Sequence, residues 1–309
     1  MDFTTIGDLR LSRLLLGSNP FSGFSHQGVE RDELMVHHYT VARIKETLFE
    51  AERLGITGLV ARTDFHVMRM LLEYRDDGGK LHWFAQTCPE VGDSEACVRR
   101  AARGGAVACH VHGGVMDHLL SQGRAGEVAG AVALIRSLGM KAGIAGHTPA
   151  VFEWSENHLD ADYYMCCYYN PTPRANDPEH VHGAVEEYRE EDRQAMTDLI
   201  RGLSRPVIHY KILAAGRNGP EEAFAYCAAR MRPQDVACIG VFTGDDPRML
   251  ETDVRLFETH SRLRNCPRSE APSAVPASLA ELAISSNRGD DDPFRVAATQ
   301  TAPARRGRS

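Results

Sequence analysis

The chain lacks any apolar run near the roughly 18 residues that a membrane-crossing helix needs, so no membrane span is expected. Its opening residues, Met1 to Arg10, contain no apolar core of a secretory signal. There is no excess of positive charge: 35 Lys and Arg stand against 42 Asp and Glu, a net charge of −7 and a pI near 6.1. That balance argues against a nucleic-acid or acidic-membrane partner and leaves a small-molecule substrate as the expected partner. The 8 cysteines form no CxxC pair of zinc-ribbon spacing, and Cys109, Cys166, Cys167 and Cys238 fall within apolar segments, where thiols act as small hydrophobes. The expectation is a reduced, cytoplasmic protein. The turn Gly17 to Gly23 does not match the GxGxxG that would open a doubly wound dinucleotide fold, and no repeat longer than one strand–helix unit is present.

What the chain does contain is 43% hydrophobic residues over 309 positions, enough for a full core. Short apolar runs alternate with amphipathic helical patterns. The expected strands are 13–18, 58–63, 82–87, 106–112, 141–146, 163–169, 206–212 and 236–242. Near-continuous apolar strands separated by helices imply a parallel sheet, and eight such units in this length imply a closed (β/α)8 TIM barrel over 1–265. From 266 to 309 Pro, Ser, Ala, Arg and Asp dominate, the composition of a disordered tail. Two long connections, 19–40 and 170–189, fall at the C-terminal end of the barrel, where loops commonly wall an active site.

Polar residues gather at that same end. Side chains alternate along a strand, so His110 and His112 share a face with Ala106 and Ala108, and Gly143, Ala145 and His147 repeat the pattern one strand later. Period two also groups Arg62, Asp64 and His66. It turns His209 and Lys211 inward if Val207 is inward. Asn19, Arg62, Gln86, Tyr169, Asn170 and Arg217 are candidate substrate contacts. Asp64, His112, His147 and Lys211 are candidate catalytic groups. Each has a plainer reading: Asp64 as an ion-pair partner of Arg62, His110 as a packed core residue, His209 as a core hydrogen-bonder. His66, His112 and His147, completed by Asp64 or His26, form a candidate ligand set for a divalent metal such as Zn, Fe, Mn or Ni. Gly216 and Arg217 after the seventh strand, and Thr243 and Gly244 after the eighth, form a candidate anion site.

Four segments give the chain a family likeness. Leu9 to Gly17, Tyr168-Tyr169-Asn170-Pro171, Lys211 to Gly216 and Phe242 to Asp253 occur in the order and spacing of the aldo-keto reductase superfamily, which the chain resembles as a divergent bacterial branch. The resemblance implies the same barrel. It matches Asp64 and His112 to the family's catalytic Asp and His, and it implies NADPH binding through Gly216, Thr243, Gly244 and Arg248. It fails at the proton donor: Arg69 stands where the family has Tyr, and Gln86 where it has Lys. The leading expectation is therefore a barrel enzyme of lyase or isomerase type that polarises a small hydroxylated or carbonyl substrate with a histidine-rich, metal-assisted site. An NAD(P)H-dependent reductase with a relocated donor (Tyr39, Tyr169 or His112) is the alternative, and a non-catalytic sensor or scaffold the third.

Overall fold

The computed structural model describes residues 1–172 and 186–265. The sequence expectation of a disordered tail lies outside the described residues, as does most of the connection after the sixth barrel strand. A short antiparallel hairpin comes first, β1 (Phe3–Ile6) and β2 (Leu9–Ser12). The chain then runs β3 (Leu14–Gly17), α1 (Val29–His38), α2 (Val41–Arg53), β4 (Gly58–Arg62), α3 (Phe65–Asp76), β5 (His82–Gln86) and α4 (Ser94–Arg103). It continues through β6 (Ala108–Val111), α5 (Gly113–Ser121), α6 (Ala129–Ser137), β7 (Lys141–Gly146), α7 (Pro149–His158), β8 (Tyr163–Cys167) and α8 (Glu190–Ile200). It ends with β9 (Val207–Tyr210), α9 (Pro220–Arg230), β10 (Val236–Ile239) and α10 (Met249–Asn265). Strands β3 to β10 are parallel and close into one barrel, β10 pairing with both β9 and β3. The expected (β/α)8 fold is the observed one.

Local chemistry explains the element ends. Thr40, Asp64 and Asp93 cap α2, α3 and α4 by accepting from Arg43, Val67 and Ala96 amides, and Pro149 and Pro220 open α7 and α9. Leu9–Ser12, the start of the segment that carries the family likeness, belongs to β2 outside the barrel, and Leu14–Gly17, within the expected 13–18, forms the first barrel strand. The hairpin plugs the barrel floor. Ile6 and Leu11 are fully buried in one cluster with Leu15, Val60, Phe84 and Tyr163, each such burial contributing about 1.5–3 kcal/mol. Connection 19–40 is likewise not a bare loop, because α1 lies within it.

Inside the barrel one set of alternate residues faces inward. Tyr163 reaches across because Gly143 on the neighbouring strand has no side chain: a methyl group there would stand 2.3 Å from the tyrosine ring. The Tyr163 hydroxyl meets His110 Nδ1 at 3.1 Å, and His110 Nε2 lies 3.5 Å from Gln86 Oε1. Burial pushes the His110 imidazole down to about 3, so it is neutral and structural.

His209 corrects a second expectation. It faces the helix layer rather than the lumen, bonded to Tyr168 Oη at 3.0 Å and to Asp235 Oδ2 at 3.2 Å. Asp235 also accepts from the Val207 amide and the Arg232 guanidinium. Burial opposes its charge, but hydrogen bonds from His209 and Arg232 hold its carboxyl at about 2, below the ordinary 3.8. A carboxyl whose folded pKa is depressed lends stability that is fully present above its unfolded pKa and is lost as pH falls through the folded value. We expect Asp235→Asn to cost about 3–5 kcal/mol in urea unfolding at neutral pH. The loss should shrink as pH falls from 4 toward about 2, because wild type alone loses this contribution there.

Candidate functional site

Phe84, Tyr163 and the hairpin fill the lower barrel, and an opening remains at the C-terminal end. The opening is a cavity of about 450 Å³. Its inner wall is Val60, Gln86, Met165, Tyr210 and Cys238, inward residues of five strands. From there it runs outward past Gly17, Asn19 and Lys211 to the junction of β10 and α10 at Phe242, Met249 and Asp253. A size of this order and a mixed apolar and polar lining suit a small ligand.

A chain of hydrogen bonds leads out of the wall at Tyr210. Its hydroxyl stands 3.3 Å from His147 Nε2, and His147 Nδ1 stands 2.7 Å from Asp117 Oδ2. Asp117 also receives the His147 amide at 3.2 Å and the Thr148 hydroxyl at 3.2 Å. This geometry places the imidazole proton on Nδ1 and the lone pair on Nε2, facing Tyr210. Gly113 makes room for the ring: a Cβ there would lie 2.9 Å from His147 Cε1. Burial raises the Tyr210 hydroxyl well above the ordinary tyrosine range, and the neighbouring Cys167 and Asp117 add to that, so it carries its proton.

A second cluster lies beside Lys211. His26 Nδ1 meets Glu186 Oε1 at 2.8 Å, and Tyr188 donates to Glu186 Oε2 at 2.7 Å. Burial opposes the Glu186 charge, but the His26 bond and the nearby Lys211 hold its carboxyl at about 2. The Lys211 ammonium lies 5.9 Å from the Tyr188 ring. Lys211 adopts φ 55°, and Ala214 and Ala215 adopt φ 49° and 53°, three left-handed non-glycine residues in one segment, of which Lys211 and Ala215 line the cavity. Each such residue costs about 1–2 kcal/mol, and strain of this kind gathers at functional sites.

Of the candidate substrate contacts, Asn19, Arg62 and Gln86 line the cavity. Tyr169 and Asn170 do not: the Tyr169 hydroxyl accepts from Asn218, and the Asn170 amide bonds Asp192. Arg217 is exposed and stacks over Tyr188 at 4.3 Å. Of the candidate catalytic residues Lys211 is on the wall, and His147 stands behind it through Tyr210. Asp64 caps α3 and pairs with Arg62 Nε at 3.0 Å, and His112 heads α5 with its amide bonded to Thr87.

The metal set is corrected. His66 projects from the first turn of α3 to solvent, and both ring nitrogens of His147 are engaged by Asp117 and Tyr210. Among the described residues no group of three or more His, Cys, Asp or Glu converges as a metal site would require. The alternating pattern failed for this trio because the strands end before His66 and His112, and past a strand end period two no longer applies.

The expected nucleotide-phosphate site is also different in character. Gly216 lines the cavity, but Thr243 bonds His38 and Tyr39, and Arg248 is exposed in the turn before α10. Carboxylates Asp245 and Asp253 line that end instead, and Arg31 is committed to Asp245. These residues do not fit an anionic phosphate. Tyr39, a candidate relocated donor, donates its hydrogen bond to the Val241 carbonyl at 2.7 Å.

No family model matches the sequence, and no curated protein matches it. By structure, 90% of the chain covers 99% of the aldo-keto reductase AKR11C1 from Bacillus halodurans in its holo form, with a TM-score of 0.56 and 14% identity. Equally, 85% of it covers 92% of a truncated 3-deoxy-D-arabino-heptulosonate 7-phosphate synthase from Thermotoga maritima, with a TM-score of 0.52 and 12% identity. A reductase and a synthase at similar distance share the barrel with this chain, and the shared barrel leaves the chemistry to the site.

The strain at Lys211 is directly testable. At an ordinary position glycine is less stable than alanine. Here Lys211→Gly should exceed Lys211→Ala by about 1 kcal/mol in chemical denaturation, both variants having lost the same side chain.

Proposed function

We propose that the protein is an enzyme of general acid–base type, of the lyase or isomerase class, that moves protons at the oxygen of a small hydroxylated or carbonyl substrate. The observation carrying this reading is the Asp117–His147–Tyr210 chain ending on the cavity wall. In the direction that ionises a substrate hydroxyl, Tyr210 takes that proton as it passes its own to His147 Nε2. The imidazolium so formed is stabilised by Asp117, which is already aligned with Nδ1. In the reverse direction the same chain delivers a proton to a carbonyl oxygen. Lys211 would offset negative charge developing on the substrate, and Arg62 and Gln86 would orient its polar groups. Asp64, by holding Arg62, serves as a positioning residue.

An NAD(P)H-dependent reductase is the second reading. One observation favours it: the cavity continues from the barrel mouth to the β10–α10 junction. The carboxylates at that junction weigh against it.

One experiment separates the two. Small hydroxy-carbonyl compounds are incubated with the protein in deuterium oxide, without cofactor, and solvent exchange is followed by proton NMR. We expect wild type to incorporate deuterium, and Tyr210→Phe and His147→Asn to do so about 100- to 10,000-fold more slowly, with folding intact. Inert wild type that instead oxidises NADPH with the same carbonyls would replace this reading with the reductase.

A further inference from the structure

The second turn of α10 carries an unusual carboxyl. Met249 and Asp253 are four residues apart and so share a helix face, and both line the outer end of the cavity. Asp253 is only 3% exposed. Other buried acids are met by donors: Asp117 by His147 and Thr148, Asp235 by His209 and Arg232, Asp32 by the Ser25 amide at 2.8 Å. Asp253 makes no hydrogen bond or ion pair with any described residue, unlike these other buried acids, and a buried carboxyl without a donor calls for a partner from outside the fold. Burial, helped by nearby Asp246, pushes its carboxyl up to about 7.

The surroundings restrict that partner. The guanidinium lining this end, Arg31, is committed to Asp245, with Nη1 at 2.9 Å from Oδ1, and lies 4.6 Å over the Phe242 ring. The Asp253 carboxyl thus faces a pocket that Met35, Met249 and Phe242 also line. A neutral hydroxyl can satisfy one oxygen, whereas a cation also compensates the charge of the ionised carboxyl. We infer that the α10 end of the cavity is a subsite for an ammonium group on a short alkyl stem, with Asp253 as its acceptor and the methionine and phenylalanine side chains covering the stem. Together with the proton-transfer reading, on which this extension rests, the substrate class becomes an amino-bearing hydroxy or carbonyl compound.

The test uses the full chain and n-butylammonium as probe, followed by isothermal calorimetry against sodium chloride of equal ionic strength, with n-butanol as the neutral match. We expect saturable n-butylammonium binding in wild type, weakened about tenfold or more by Asp253→Asn, the loss of one charge-assisted bond. Asp253→Leu, which suits the apolar wall, should show the same loss, so a folding defect in one variant does not mask the outcome. Tyr210→Phe should bind n-butylammonium as wild type does, so failure of the acid–base reading and failure of this subsite are separately visible. Absence of saturable binding, n-butylammonium binding as tight as wild type in both Asp253 variants, or n-butanol binding as tightly as n-butylammonium would overturn the inference.

Discussion

Space inside a closed barrel of eight strands is the constraint on which the rest of this structure depends. Its interior is shared by a few inward side chains from each strand. Here Phe84, Tyr163 and the plugging hairpin residues Ile6 and Leu11 occupy the lower part. The cavity can exist at the mouth only because Gly17 and Cys238 are small where they line it. Gly143 serves the same economy lower down, admitting the Tyr163 ring where any side chain would collide. The position of the cavity thus follows from a gradient of filling along the barrel axis, packed below and open at the mouth.

That gradient also separates two kinds of buried histidine. His110 lies in the filled region, neutral and held by Tyr163 and Gln86. His209 lies between sheet and helices, locked to Tyr168 and Asp235. Both stabilise a core that has to satisfy its polar groups internally. His147 differs because one partner, Tyr210, opens onto the cavity while the other, Asp117, fixes its tautomer. The same residue type is structural in two places and poised for chemistry in a third, and the difference is access to the cavity.

The sequence was legible wherever a pattern is carried by many residues. Eight apolar segments and their punctuation by Gly55, Gly139 and Pro220 announced the barrel. Elements with weak patterns were missed. Helix α1 buries only Asp32 and Met35, so it shows no apolar stripe. Helix α5 starts on Gly113-Gly114, which reads as a turn, and missing it hid Asp117. Tyr210 was passed over because the inward face of β9 was assigned from Val207, and a shift of one residue exchanges the faces of a whole strand.

By itself the sequence determined the class of fold, the end of the barrel where polar groups collect, and the acidic character of the chain. Hydrophobic periodicity, helix capping and charge are local or additive, and they survive being read one residue at a time. Tertiary structure alone decided which histidine meets a tyrosine and a carboxylate, that His66 is exposed while His147 is buried, and that Asp253 faces a cavity without a partner among the described residues. Those facts depend on strand register, on where each strand stops and on which glycines admit a ring. Each is fixed by packing between segments far apart in the chain.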